Sequence, residues 1–509
     1  MNDPKFPLPT ITESMDLASK NVSSQPALDA STPKIAIVGA GISGLSTAWY
    51  LQKLLPSASV SLFEASDRVG GVIQTVNSEP YLIEQGADNF ATLMPDAIHL
   101  VEEMGLREEF ISPKPDHRLA QVVRGGKVVP IPNGFSLMQP TRFSSILKTN
   151  ALSLRGKLRL AGEYFVKRRE SQLDESVESF AIRRLGRECF ERLVEPIVGG
   201  IFTARSETLS MQAAMPQFVS MERQHGGLIR GALAKRKNQD PADQSARQAT
   251  GARYDQFLAP KKGMSWWLNA INERLVARLY LNQPIRKVER TEDSRWTLWS
   301  TIASESGSLS LGTFDSLVLA LPSHKSADLL LQAQPKLAKL LEGIPYASSA
   351  IAILSVPRNE IRKDALCFGI VVPKIENRDV LAISLSSEKY NGRCPNDMVL
   401  LRVFMGGAVR PELLEQSDEQ LLAIARKEVK ELLGVSSLPR WQSLVRWRDA
   451  MPQYLVGHNA RVQSIRDLLQ EIPGLHLTGN AFDGVGIPQC IRGAKQTAEK
   501  VACSFLSRQ

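Results

Sequence analysis

Gly39, Gly41 and Gly44 stand at the spacing G-x-G-x-x-G, with Ala40, Ile42 and Ser43 between them. The first glycine allows a tight turn, the second lets backbone approach a pyrophosphate, and the third lets a helix pack close to a strand. Glu64 follows about twenty residues on, where a carboxylate can hold both hydroxyls of a ribose. The chemistry in view is recognition of a dinucleotide. An acid at the 2′-hydroxyl argues against a 2′-phosphate and so against NADP.

Elements must hold these residues in place. Ile35, Ile37 and Val38 form the apolar run of a buried parallel strand. A helix over about 43–54 then aims its N-terminal N–H groups and dipole at the pyrophosphate. A strand over 60–63 ends at Glu64, and Arg68-Val69-Gly70-Gly71 reads R-x-G-G just beyond it. That combination resembles the flavin amine oxidase superfamily, in which R-x-G-G supports bound FAD. Gly86-Ala87-Asp88-Asn89 offers small residues for backbone passing beside a flavin ring. Asp88 and Asn89 there either face the flavin or the substrate, or close a plain Asx–Gly turn.

Further along, residues 116–130 predict a hairpin turning at Gly125-Gly126, with Arg118 at its start as a candidate carboxylate anchor. Residues 140–230 read mainly as helices. The stretch 146–170 is basic and amphipathic, fit for an anionic bilayer surface or for the solvated side of a core stripe. At 195–202 the paired Gly199 and Gly200 break the helical pattern and permit close approach of a ligand. A polar stretch at 235–253 reads as disordered. Val288 sits on a returning strand able to touch the adenine or ribose. Strand-rich text at 350–356, 368–372, 380–385 and 399–405 predicts an antiparallel sheet. The chain returns to the nucleotide fold at 475–494 as strand, glycine-spaced loop and helix, the helix aiming its positive end at the flavin.

The 509 residues allow two or three domains with substantial cores. A formal charge of +9 suggests an acidic partner: a membrane surface, an anionic substrate or nucleic acid. No basic-aromatic RNA or DNA motif is present, so nucleic acid ranks last. The five cysteines are scattered without a C-x-x-C pair, which predicts free thiols in a reducing compartment. The six histidines lack metal-ligand spacing, so no metal is expected. No apolar run reaches the ~18 residues that span a bilayer. Residues 1–33 lack the pattern of a signal peptide and read as a disordered tail. The expectation is a cytoplasmic protein, peripheral on the inner face of the cell membrane.

GAGISGL, R-x-G-G, EQGADNF, MPQYLVGH at Met451–His458 and GNAFDGVGIPQCIRGA together resemble the oxygen-dependent protoporphyrinogen oxidases, over nearly the whole chain from Lys34 onward. The more specific part is P-Q-Y-x-x-G-H combined with G-N-x-x-x-G-V-G-I-P-x-C-I. The resemblance implies an α/β fold: a Rossmann-like FAD-binding domain of the p-hydroxybenzoate hydroxylase type, an antiparallel-sheet substrate domain, and a helical, membrane-facing domain. The expected layout has a tail over 1–33 and FAD-binding segments over 34–95, 256–325 and 441–509. A helical substrate-access domain takes 96–230, a disordered loop 231–255 and the sheet domain 326–440.

The same resemblance implies FAD bound by Gly39, Ala40, Gly41, Ile42, Ser43, Gly44, Glu64, Ala65, Arg68, Gly71, Val72, Gly86, Ala87, Asp88, Asn89, Val288, Asn480, Val485, Gly486 and Ile487. Cys490 lies beyond the usual place for a covalent link, so non-covalent FAD is expected. Arg118 matches an arginine that pairs with a substrate propionate, and Asp88 and Gly199 or Gly200 match positions beside the cavity. Ser349, Ala365 and Leu385 correspond to large cavity-lining residues of plant-type enzymes. The implied activity is six-electron oxidation of a porphyrinogen to a porphyrin in haem biosynthesis. Hydride passes to the flavin, no side chain is the catalyst, and O2 is the acceptor. The substrate is protoporphyrinogen IX or coproporphyrinogen III, which carries two more propionates. Peripheral membrane contact, hand-over to a downstream chelatase and a homodimer complete the expectation. Its rivals are another flavin oxidoreductase on this scaffold, such as an amine oxidase or carotenoid desaturase, and a non-catalytic FAD-binding membrane partner.

Overall fold

The computed structural model describes residues 32–116, 119–140, 143–237, 257–301 and 308–506. Most of the tail, most of the 235–253 stretch and Arg118 lie outside these residues.

Ile35, Ala36 and Ile37 are wholly buried, as a strand clothed on both faces requires. Their strand, Lys34–Val38, is the middle of a five-stranded parallel sheet. Ser59–Phe63 and then Arg278–Tyr280 lie to one side, Ser316–Leu319 and then Leu475–Leu477 to the other. The chain thus returns three times to a sheet begun in its first described residues. On one face the helices Ile42–Leu54 and Ile487–Leu506 share a core built from Leu45, Ala48, Leu51, Ile491, Ala498 and Val501. On the other, Phe63, Val288, Trp296 and Leu298 pack with Leu330 and Leu337 of two short helices, Ser323–Leu330 and Pro335–Glu342. Each fully buried Leu or Val there contributes roughly 1.5–3 kcal/mol.

A second sheet has seven strands, in the order Trp441–Pro452, Tyr346–Pro357, Met398–Gly406, Ala382–Leu385, Gly369–Val371, Ala120–Arg124 and Lys127–Pro130. All its pairings are antiparallel except Gly369–Val371 with Ala120–Arg124, which run parallel. The expected hairpin turning at Gly125-Gly126 is present and belongs to this sheet, although the expected layout put it in the helical domain. The strand 441–452 likewise joins it from beyond the expected boundary at 440. Helix 335–342, expected in the sheet domain, and helix 323–330, which straddles the expected boundary at 325, both pack on the nucleotide side instead. Helix Asp418–Leu433 covers one sheet face through Leu421, Ala425, Val429 and Leu432.

The third unit is helical, centred on Phe180, Leu193, Val198 and Phe218. Its wholly buried Arg184 is paired with the wholly buried Glu163 and reaches Glu222 at 3.4 Å. The amphipathic stretch 146–170 is no single helix. It breaks into Phe143–Lys148, Leu154–Ala161 and a 3-10 turn at Gly162–Phe165. Leu152 and Leu160 are buried, whereas Leu154, Leu158, Tyr164 and Phe165 are exposed. Gly199 and Gly200 do not break their helix either. They lie inside Glu195–Phe202, which follows a π-helical turn at Phe190–Val194 and stops at Thr203, whose φ is +47°. Among the described residues no helix is long and apolar enough to cross a membrane.

Candidate cofactor and substrate site

Two glycines of the loop are a steric necessity and the third faces open space. Gly39 has φ +101°, and a Cβ on Gly44 would stand 1.8 Å from the Gly39 carbonyl oxygen. A Cβ on Gly41, by contrast, would meet nothing within 4 Å. The loop thus keeps a bare face for a ligand above a tightly packed turn. The second glycine pair lies against it: Gly70 N–H donates to Ala40 O at 2.8 Å, and Gly71 packs on Gly41. Arg68 makes that second loop by donating to the carbonyls of Val69, Gly71 and Ile73 and to Gln74 Oε1. Its guanidinium is used inside the loop, so it positions Gly71 and Val72 rather than reaching for a phosphate. Glu64 accepts from Ala40 N at 2.8 Å and Ser66 N at 3.0 Å. Its Oε1 also accepts the Ser66 hydroxyl at 2.9 Å, so Oε2, which accepts from Ala40 N alone among the described residues, is the oxygen that keeps a lone pair free for a hydroxyl. Ala65, Gly71, Val72 and Ala87 are exposed around the same cleft. Gly86 lies on Val72, where a Cβ would stand 2.1 Å from its carbonyl oxygen.

The C-terminal loop closes this cleft. Ile487, which opens the last helix, shares a core with Ala40 and Ile42. Val485 reaches across to the helical unit's core, and Gly486 packs on the Gln489 side chain. Tyr454 donates its hydroxyl to Asn480 O and stacks on His458 with ring centroids 4.2 Å apart. Gln453 of the same P-Q-Y-x-x-G-H segment donates to Phe202 O. This motif is therefore a joint between the C-terminal loop and the helical unit. Cys490 is buried, and burial pushes its thiol up to about 11, which leaves it a poor nucleophile. Val288 is buried behind Phe63. The open ground above Gly41, the free lone pair on Glu64 Oε2 and the helix N-terminus at Ile487 suit a flavin dinucleotide.

Asp88 sits where this cleft meets the seven-stranded sheet. It is buried, 3.1 Å from Lys389 Nζ and 3.2 Å from Arg402 Nη1, and accepts from Asn89 Nδ2 at 3.0 Å. Burial alone would raise its pKa. Lys389 and Arg402 outweigh that and hold it down at about 2. Arg402 also donates to Gly86 O, and Trp447 Nε1 donates to Gln85 O at 2.8 Å. Two side chains of the sheet, Arg402 and Trp447, and Lys389 of the short helix Ser386–Lys389 thus fix the Gln85–Asp88 segment.

Strand alternation decides which side chains share that face. Arg402 pairs with Ser384 and Ile353, and Phe404 pairs with Ala382 and Ile351. Ser349 lies two residues before Ile351 and pairs with Trp447, so it belongs to the same face. Gly200 presents its helix to Val371 and Ala382, 3.7 and 3.9 Å from where a Cβ would be. Gly199 faces Glu195 instead. Ala365 and Leu385 are not brought to this face. Both are wholly buried with Ile383 in the core under helix Asp418–Leu433. Leu385 is one residue out of phase with Ser384, so the pleat turns it the other way. Lys389 and Arg402 were not among the expected site residues. The visible signal for Arg402 is a lone arginine inside the apolar run 398–406, which burial would penalise without a partner.

Comparison with known proteins fits this geometry. The family profile of flavin containing amine oxidoreductases matches residues 42–502. The chain is 31% identical to the coproporphyrinogen III oxidase of Propionibacterium freudenreichii subsp. freudenreichii, covering 95% of this chain and 93% of that one. It is 29% identical to the coproporphyrinogen III oxidase of Bacillus subtilis (strain 168), over 91% and 96% respectively. A solved structure described as a protoporphyrinogen oxidase, from Exiguobacterium sp. 255-15, superposes with a TM-score of 0.78 at 27% identity, over 92% and 98% of the two chains.

Proposed function

This chain belongs to the flavin-containing amine oxidoreductases, and from that premise we propose that it is an FAD-dependent oxidase taking a porphyrinogen to a porphyrin in haem biosynthesis, with coproporphyrinogen III as the preferred substrate. The observation that carries the reading is the cleft. Two glycine loops and the C-terminal loop surround the proposed cofactor place, and its inner edge carries two buried cations, Lys389 of the short helix Ser386–Lys389 and Arg402 of strand Met398–Gly406. Cations suit a carboxylate-bearing substrate, and the names of two bacterial relatives support the tetra-propionate one.

FAD bound there supplies the hydride acceptor. The protein's own part is placement. A porphyrinogen meso carbon releases hydride readily, because its two flanking pyrroles delocalise the cation left behind. No side-chain nucleophile is therefore required, and orientation supplies most of the protein's contribution. Ile351, Phe404 and Val371 keep the wall apolar, and Gly200 lets its helix stand close to that wall. Asp88, held ionised, fixes the segment Gly86–Asn89 beside the ring. Arg118, outside the described residues, is proposed as the anchor for one propionate. Replacing it by alanine is expected to raise KM about tenfold or more while kcat falls less than about threefold. A kcat loss with unchanged KM would contradict an anchoring role.

The oxidase names of the relatives support O2 as terminal acceptor, with hydrogen peroxide as its product. The helical unit is proposed to lie on an anionic membrane surface. Exposed Leu147, Leu154, Leu158, Tyr164 and Phe165 stand there beside exposed Lys148, Arg155, Lys167 and Arg168. Aerobic turnover tests the activity: porphyrin fluorescence should rise with peroxide in proportion, faster from coproporphyrinogen III than from protoporphyrinogen IX. Absence of porphyrin from either substrate would refute the reading.

A further inference from the structure

Among the described residues, the charge balance around Asp88 does not close. Three buried cations, Lys389, Arg402 and Arg393, share this region with two carboxyl groups, Asp88 and Glu84. Burial pushes Glu84 up to about 7, so near neutrality it is only partly an anion. Arg393 is spent on the carbonyls of Lys261 and Pro260, at 3.1 and 2.9 Å. Among the described residues, Asp88 is the one hydrogen-bond acceptor of the Lys389 ammonium, which has three N–H groups to give and also stands 4.5 Å over the Phe368 ring. Arg402 Nε is buried without a partner, and so is the hydroxyl of Ser384. Ser384 and Arg402 are register partners on adjacent strands, so their side chains leave the same face. That face lies against Gly86–Asp88 and, two residues along at Ala382, against Gly200. Unfilled buried donors carrying excess positive charge are costly unless something completes them.

We propose that Lys389, Arg402 and Ser384 form a carboxylate subsite in the substrate slot, which takes one propionate of the porphyrinogen and selects a macrocycle rich in such groups. This rests on the porphyrinogen reading above and deepens it. A propionate supplies the missing acceptor to Lys389 Nζ, Arg402 Nε and Ser384 Oγ. A vinyl or alkyl group at the same place leaves them unfilled, and a site built to hydrogen-bond a group rejects the analogue lacking it.

The test uses FAD-loaded Lys389→Met, Lys389→Arg and Ser384→Ala proteins, each assayed on both porphyrinogens, with the flavin reduction potential measured in parallel. In Lys389→Met, kcat/KM for coproporphyrinogen III is expected to fall about 10²-fold through KM. Loss of the Asp88 contact is common to both substrates, so the fall for protoporphyrinogen IX is expected to be at least about tenfold smaller than that for coproporphyrinogen III. Lys389→Arg should retain the preference, and Ser384→Ala should raise KM for coproporphyrinogen III alone, by roughly three- to tenfold. Equal losses on both substrates would overturn the subsite, because the lysine would then only clamp Asp88. A shifted potential with unchanged KM would overturn it too, because the charge would then act on the flavin. If Lys389→Met does not fold, Ser384→Ala decides, and unchanged KM for both substrates there overturns the proposal. Wild-type protein that oxidises neither porphyrinogen overturns the reading beneath it as well.

Discussion

At the scale of single residues, the site is governed by what burial does to charge. Asp88 stays ionised because two cations outweigh its desolvation. Glu195 has less help. Burial pushes it up to about 7, against the Lys374 N–H that it accepts at 3.0 Å. Its folded pKa lies above the unfolded value of 4.5. The stability it contributes is therefore complete below about pH 4.5 and is lost as pH rises through 7. Glu195→Gln keeps the acceptor and removes the titration. The variant's stability relative to wild type is expected to rise between pH 5 and pH 8, by on the order of 2–3 kcal/mol. Thermal melts across that range check it, and parallel curves would contradict it. Glu195 lies one turn before Gly199, so this titration also bears on the helix that walls the slot. Arg402 was legible in principle, since an arginine amid Val399–Met405 needs a buried partner. Lys389 was not, because its Ser-Ser-Glu-Lys context reads as an ordinary solvated turn and only tertiary packing buries it.

At the scale of elements, glycines were legible because each has its own steric reason, and those reasons differ. Gly41 faces open space with φ −70°, which any residue adopts, whereas Gly44 touches the Gly39 carbonyl. Gly41→Ala is therefore expected to leave the melting temperature of flavin-free protein unchanged and to weaken FAD binding at least about tenfold. Gly44→Ala should lower stability itself, by about 3 kcal/mol. Apo and holo melts with FAD titrations separate the two, and equal apo destabilisation would contradict the assignment of Gly41 to the ligand face. Strand faces were less legible. In Ala382–Leu385 both faces are covered, one by the slot and one by helix Asp418–Leu433, so no apolar–polar alternation marks the inward side. Leu385 was expected in the cavity from its correspondence to plant-type enzymes, and nothing in the local pattern corrects that by one residue to Ser384, whose side chain shares the face of Arg402.

At the scale of the whole molecule, three units are interleaved along the chain, and each wall of the slot comes from a different one. The first and last segments of the nucleotide unit were readable from local glycine and strand patterns. The partnership of Ala120–Arg124 with Gly369–Val371 was not, because parallel pairing across such a separation leaves no local signature. The exposed apolar set on the helical unit carries a prediction at this scale. Phe165→Glu with Leu158→Glu should abolish sedimentation with vesicles rich in anionic lipid and leave turnover in detergent unchanged. Undiminished sedimentation would contradict that orientation. The account as a whole rests on one flavin held between distant segments and within reach of a macrocycle. Anaerobic mixing of the purified yellow protein with coproporphyrinogen III addresses this most directly. Rapid loss of the visible flavin absorbance, slower with protoporphyrinogen IX, is the predicted result; a flavin that stays oxidised with both would contradict the account.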